Sequence, residues 1–338
     1  MKLALILNVI NPLIGGVLIR GERGTGKSTA VRALANLLPE IEVNEGCPFN
    51  DDPYHPEEWC ATCIEKSKNG LLKSIKIPMK VVNLPIGCSE DRVVGSLDIE
   101  CAIREGSKAL EPGILASANR NILYVDEINL LSDHIIDDLL DAAAFGVNIV
   151  EREGVSVSHP SNFILVGSMN PEEGELRPQI LDRLGLAVEV KSIKDTSERF
   201  KILKNVDEFD SNPKQFIDKF KDAEQDLQNK IVEAKKLLSN IVMPQELMEL
   251  IVEVCAKLNV ETHRGEITIN RCSKALAAFN KHPIVQLEDV ETAIRLALRT
   301  RIGRLGYSSP GEIEEKINQA IQQSLEENPE IKKKTMSS

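Results

Sequence analysis

Residues Gly21, Glu22, Arg23, Gly24, Thr25, Gly26, Lys27, Ser28 and Thr29 combine a pliable backbone with one ammonium and adjacent hydroxyls. Gly21 and the run Gly26-Lys27-Ser28, with four residues between them, form a complete Walker A word. Glycines let such a loop curl so that its N–H groups face a phosphate. The helix start that follows adds partial positive charge. Lys27 is placed to reach β- and γ-phosphates, and the Ser28 hydroxyl to ligate Mg²⁺. The spacing therefore calls for ATP with Mg²⁺.

A second word, Ile122-Leu123-Tyr124-Val125-Asp126-Glu127, is an apolar strand ending in two carboxylates. Asp126 is the candidate for holding Mg²⁺, largely through water, and Glu127 for orienting and polarising the attacking water. Ser168-Met169-Asn170-Pro171 closes a further strand. Asn170 there could bond the γ-phosphate and the water, or serve only as a turn residue before proline. Transition-state charge on a phosphoryl group needs a cation beyond Mg²⁺ and Lys27. Arg177 and Arg183 in ELRPQILDRLG and Arg264 in THRGEIT are the candidates. The first two follow the Asn170 strand and would be presented to a neighbouring subunit as a finger in trans. Arg264 begins a helix and could lean over the nucleotide of its own subunit. For all three a surface ion pair is the competing reading.

These groups need a frame. Residues 15–190 alternate strand and helix signals, with strands at Val17-Leu18-Ile19, 81–84, 122–125, 163–166 and 187–190. Short apolar runs separated by helices predict an α/β fold, a parallel sheet with helices on both faces. Lys27 to Leu38 reads as a helix ended by Pro39. Residues 148–158 alternate around Glu153-Gly154 and predict an inserted β-hairpin. Residues 44–74 are rich in Pro, Asp and Cys and read as an insert. Beyond residue 192 strand signals stop, and helices are expected at 222–238, 244–258, 268–280 and 287–301. The expected organisation is a nucleotide-binding domain over 1–191, a linker over 192–221, a smaller all-α domain over 222–305 and a charged tail over 306–338.

Composition narrows the classes. A net charge of −11 speaks against a protein whose task is gripping nucleic acid. The apolar start MKLALILNVI reads as a helix of the fold rather than a targeting segment, and no run is long enough to span a membrane. Seven cysteines, an odd number, do not read as a disulfide framework and point to a reducing cytoplasm. Cys101, Cys255 and Cys272 lie on apolar helix patterns and read as core. Cys60-Ala-Thr-Cys63 could bind Zn²⁺ together with Cys47 and either His55 or Cys88. It could equally be a redox pair, or a set of reduced thiols in a loop.

With these words in place, the chain resembles the AAA+ ATPases, and within them the small ATPase subunit (I subunit) of magnesium chelatase. GGVLIRGERGTGKSTAVRALANLLP, LPIGCSEDRVVGSLDIECAI, LEPGILASANRNILYVDEINLL, VEREGVSVSHP and GSMNPEEGELRPQILDRLG carry the resemblance, which covers about residues 1–300. It implies an ATPase ring, hexameric in the family, that works with a D-type AAA+ subunit and an H-type porphyrin-binding subunit. In that family the assembly inserts Mg²⁺ into protoporphyrin IX. It also implies Lys27 and Ser28 as Walker A, Asp126 and Glu127 as Walker B, Asn170 as sensor 1, Arg183 as arginine finger and Arg264 as sensor 2. Three departures stand out. Family members carry an adenine-enclosing segment ahead of the first shared word. Leu184 stands where phenylalanine is frequent. Residues 47–63 carry Cys47, His55, Cys60 and Cys63, a set that plant-type members lack, while some bacterial and archaeal relatives, partners of cobalt chelatases among them, have similar cysteines. Competing functions are a cobalt-chelatase motor, a nucleotide-gated scaffold with little turnover, and a nucleic-acid motor.

Overall fold

The computed structural model describes residues 1–97, 110–152, 155–302 and 310–328. Its strands are β1 (Val17–Gly21), β2 (Ile41–Asn44), β3 (Ser74–Ile77), β4 (Val81–Leu84), β5 (Gly95–Leu97), β6 (Leu110–Pro112), β7 (Ile122–Val125), β8 (Val147–Arg152), β9 (Val155–Pro160), β10 (Ile164–Met169) and β11 (Leu186–Val190). The α/β part has helices α1 (Lys2–Ile10), α2 (Lys27–Asn36), α3 (Ala61–Lys68), α4 (Glu90–Val94), α5 (Ile114–Ala118), α6 (Asp133–Phe145) and α7 (Pro178–Arg183). The helical part has α8 (Thr196–Ser211), α9 (Pro213–Leu237), α10 (Gln245–Lys257), α11 (Arg264–Asn280), α12 (Leu287–Ile302) and α13 (Pro310–Glu327).

The main sheet has the order β11-β1-β10-β7-β4, and every pairing is parallel. Its central strands β1, β10 and β7 bury both faces, which explains their continuous apolar runs. Val17, Ile19, Ile122, Tyr124, Ile164 and Val166 point into one core, with α1, α2 and the helical domain. Leu18, Leu123, Val125, Leu165 and Met169 point into the other, against α4 to α7. The two-residue period of a strand makes this division. Register aligns the C-terminal ends: Gly21 lies beside Val190, Arg20 beside Met169, and Gly167 and Leu84 beside Val125. The chain leaves β1 toward β4 on one side and β10 toward β11 on the other. That crevice is where open parallel sheets bind ligands.

The hairpin is the β8–β9 pair; its Glu153-Gly154 turn lies outside the described residues, as does Cys101. The 44–74 insert is held at its root by the antiparallel pair β2–β3.

Two stretches differ from expectation. Residues 192–221 are mostly helical: Asp195 caps α8 by accepting from the N–H groups of Ser197 and Glu198, and Asn212 caps α9 with Pro213 in its first turn. Phe200, Leu203, Ile217 and Phe220 remain exposed there, so no buried stripe marks these helices in the sequence. Residues 310–327, expected within a charged tail, form α13. It buries Ile317, Ala320, Ile321 and Leu325 and pairs through Arg299–Glu314 (2.9 Å) and Lys257–Glu327 (2.7 Å).

The helical domain docks on α1 and on the segment leading into β11. Arg301 is the anchor. Its side chain is 2% exposed and donates to the carbonyls of Asp182, Leu184 and Gly185, each at 3.0 Å, with the Asp182 carboxylate 3.6 Å away. A guanidinium is suited to this because it presents several fixed donors at once. Arg301→Ala is expected to cost about 3 kcal/mol or more, since three carbonyls lose this donor and the buried Asp182 carboxylate loses one of the cations beside it. Arg301→Lys should recover only part of that. Urea unfolding of the full chain checks both.

Candidate active site

β1 ends at Gly21 and α2 starts at Lys27, so the phosphate loop stands at the C-terminal edge of the sheet. Gly24 and Gly26 have φ of +77° and +78°, a region where a side chain is strained. Open space lies beside both, so backbone conformation rather than crowding selects glycine. Gly21 is different: a Cβ there would come within 2.4 Å of the Val190 carbonyl of β11. Lys27 Nζ donates to the carbonyls of Gly21 and Glu22, the latter at 2.8 Å, and Thr25 Oγ1 to Glu22 at 2.9 Å. The loop is thus open, curled and positively charged at its mouth, a fit to the phosphates of ATP. Thr29 is exposed in the first turn of α2.

The carboxylates follow one strand away. Asp126 Oδ1 accepts from the Ser168 hydroxyl and, at 2.9 Å, from the Tyr124 phenol. Burial, and with it the Asp126 carboxylate that accepts its hydroxyl, push the Tyr124 phenol up to about 12. Glu127 has φ of +53°, and its N–H donates to Ser168 Oγ at 3.2 Å. Its carboxylate is 2.9 Å from Arg23, which also reaches Glu173 at 2.5 Å. Asn170 is buried on the same edge, its Oδ1 accepting from Glu172 N–H at 3.3 Å as the cap of a short 3₁₀ turn.

The arginines lie elsewhere. Arg183 ends α7 and pairs with Asp137 (2.8 Å) and Asp141 on one face of α6. Arg177 pairs with Asp133. Arg264, expected over the nucleotide of its own subunit, is 3.6 Å from Asp182 instead. The reason is the docking of the helical domain: Arg301 and Thr262, the latter at 2.7 Å, pin it to Asp182. Arg183 and Arg264 thus share the N-terminal end of β11. Cys47, Cys60 and Cys63 converge in the insert, but the fourth group beside them is Asp51. His55 is exposed and faces Glu57 at 3.0 Å, and Cys88 packs in the core around α4 and α6. Cys255 and Cys272 are fully buried in the helical domain.

Ser168 and Tyr124 were not singled out from sequence, although a tyrosine in an otherwise aliphatic buried strand signals a hydroxyl seeking a partner.

A phosphate loop at the switch point of a parallel sheet, a strand-end carboxylate pair beside it and an attached helical domain define a P-loop ATPase of the AAA+ class. Comparison with known proteins narrows this. The family model for "Magnesium chelatase, subunit ChlI" matches residues 98–179, and the AAA lid domain matches 248–324. The chain is 58% identical over 328 residues to the magnesium-chelatase subunit ChlI homolog of Methanocaldococcus jannaschii, covering 97% of this chain and 89% of that one. It is 53% identical over 303 residues to subunit ChlI of Euglena gracilis, covering 89% and 87%. Among solved structures it matches a cryo-EM-based model of the complex between subunits BchI and BchD of magnesium chelatase, at 45% identity, TM-score 0.53 and coverage of 94% and 95%. A putative ATPase of Cytophaga hutchinsonii, at 16% identity and TM-score 0.60, shares the fold over 94% of this chain and 87% of that one. The chain belongs to the magnesium-chelatase subunit ChlI family and is an AAA+ ATPase subunit of that type.

Ser168→Ala removes one hydrogen-bond donor to Asp126 and the acceptor of Glu127 N–H. A hydrogen bond to a charged group contributes about 1.5–3 kcal/mol. Steady-state ATPase kinetics should show kcat/KM down about tenfold or more, with the circular dichroism spectrum unchanged.

Proposed function

We propose that this chain is the ATP-hydrolysing motor of a tetrapyrrole metal chelatase. It would act in a homo-oligomeric ring, hexameric by family resemblance, with a D-type AAA+ partner and an H-type porphyrin-binding subunit. Mg²⁺ going into protoporphyrin IX is the reaction the named relatives suggest, and the inserted ion is substrate of the partner rather than cargo of any motif here. We place the assembly in a reducing cytoplasm. Among the described residues six cysteines are free, in keeping with that, and no helix is long and apolar enough to cross a membrane.

The loop Gly21 to Thr29 would hold the triphosphate through backbone N–H groups and Lys27. Ser28 and Asp126 would hold Mg²⁺, whose charge offsets that of the phosphates. Glu127 would orient the attacking water and accept its proton, with Asn170 as a second polar contact. Arg23 steadies Glu127 now; at 68% exposure that pair is weak and exchanges at little cost.

The observation that carries the ring is the position of Arg183. Gly185 pairs with Gly15, at the N-terminal end of β1, and Val190 with Gly21 at the other. Five residues of strand place about 16 Å between those ends, beyond the reach of an arginine side chain. Arg183 therefore serves a neighbour's nucleotide, and Arg264, on the same face, would act there too.

Arg183→Ala should slow hydrolysis by about 10³-fold or more while nucleotide binding survives. Lys27→Ala should lose binding as well. Each variant alone is inactive, but mixing them should restore activity, because one protomer then brings the intact loop and the next the intact guanidinium. No recovery on mixing, with rings formed by both variants, overturns the shared site. Supplying the D- and H-type partners with Mg²⁺ or Co²⁺ then reads out the inserted ion.

A further inference from the structure

A cluster remote from the phosphate loop carries chemistry that ATP hydrolysis does not use. The Sγ atoms of Cys47, Cys60 and Cys63 and a carboxylate oxygen of Asp51 all lie within 4.8 Å of one another. Cys60, Cys63 and Asp51 are 8%, 0% and 2% exposed. Cys47 Sγ and Cys60 Sγ are 3.7 Å apart. A disulfide needs about 2.05 Å. A tetrahedral ion with Zn–S bonds of about 2.3 Å sets its sulfurs about 3.8 Å apart.

Local structure builds this convergence. The β2–β3 pair closes the insert, and Gly46 and Asn50, both at positive φ, turn the chain back between them. Cys60 caps α3 and Cys63 lies within its first turn, so both sulfurs fall on one side. Asp51 Oδ2 accepts from the Cys60 N–H at 2.6 Å, while Oδ1 is buried with no hydrogen-bond partner. A buried carboxylate oxygen without a partner is costly and calls for a cation. The Phe49 N–H approaches Cys47 Sγ at 3.4 Å, the donor a thiolate ligand would accept.

The insert also lacks an adequate core. Its buried hydrophobics are Phe49, Cys60 and Cys63, packed with Ala116. Segments this short are usually stapled by a metal or a disulfide.

We propose that Cys47, Asp51, Cys60 and Cys63 hold one structural Zn²⁺ ion, closed to solvent, that folds the insert onto the root of the Walker B strand. Three thiolates and one carboxylate suit Zn²⁺ in a four-coordinate site. Binding releases the protons of three thiols. The folded insert makes specific contacts. Asn119 Nδ2 donates to the Phe49 carbonyl at 2.6 Å and Asn50 Nδ2 to the Asn119 carbonyl at 3.2 Å. Arg120 pairs with Asp52 at 2.8 Å, and Phe49 stacks on His159 of the hairpin at 4.8 Å between ring centroids. Asn119 and Arg120 lead directly into β7, so the ion would brace the strand that carries Asp126 and Glu127.

The test uses the full chain purified under reducing conditions, with metal measured by plasma mass spectrometry. One zinc per chain is expected, retained through gel filtration. Cys60→Ser/Cys63→Ser should lose it and Cys88→Ser should keep it. Asp51→Ala, less prone to unfold the insert, should weaken Zn²⁺ binding by at least about tenfold. Cobalt exchanged for zinc should show the visible bands of a tetrahedral thiolate site in the parent chain and not in Cys60→Ser/Cys63→Ser. The inference is overturned if reduced protein given equimolar Zn²⁺ takes up none. It is overturned equally if Cys60→Ser/Cys63→Ser retains stoichiometric zinc, or if the isolated site holds iron instead. These readouts involve no ATPase measurement, so they stand or fall apart from the motor function.

Discussion

Everything at the site depends on the parallel register of four strands. Gly21, Asp126 and Asn170 are far apart in sequence and have no local reason to meet. They meet because β1, β7 and β10 run the same way and end level. Burial on both faces enforces that alignment. A slip of one residue would exchange the inward and outward sets of a strand and turn Tyr124 from the core it shares with α2 and the helical domain. The same register imposes a separation. Whatever precedes β11 lies a strand's length from the loop, so the two carboxylates and the two arginines occupy opposite edges of one sheet. In the ring we propose, one edge would stack against the next across this separation.

Buried polar side chains fix how the parts dock. Asn8 accepts from Gly16 N–H at 3.2 Å and donates to Leu165 at 3.1 Å, tying α1 to the entrances of β1 and β10. Arg301 performs the same service between the helical domain and residues 182–185. Arg183 stands inside the segment that Arg301 grips. The joint that positions the helical domain is therefore also the joint that positions the Arg183 guanidinium. A shift of one without the other would leave a buried charge uncompensated.

The legible parts of the molecule were those whose physics is local. The loop needs closely spaced glycines before Lys27, and strands buried on both faces must be apolar runs, so both are written in short words. The helices of 245–302 show their buried stripes, whereas α8 and the start of α9 do not, because their apolar residues stay exposed or touch only each other, as Phe209, Phe216 and Phe220 do. The place of Arg264 could not be read, since it depends on how two domains pack. Asp51 was missed for a related reason. Cysteine and histidine are the ligand types that spacing makes visible, but the turn at Asn50 brings a carboxylate to the sulfurs and leaves His55 in solvent.

The opposite end of β7 is organised as closely as the catalytic end. Asn119, Arg120 and Asn121 form a knuckle, with Arg120 at φ +61°. Arg120 N–H donates to the Asn162 carbonyl at 2.6 Å, and its guanidinium to Glu42 of β2 at 2.6 Å. Asn119 Oδ1 accepts from Asn162 N–H at 2.8 Å, and Asn121 Oδ1 from Lys80 N–H at 2.9 Å. Insert, hairpin and sheet thus meet on three consecutive polar residues. β7 is a four-residue rod between this knuckle and Asp126. Buried along its whole length, β7 is the short connection from these contacts to the carboxylates.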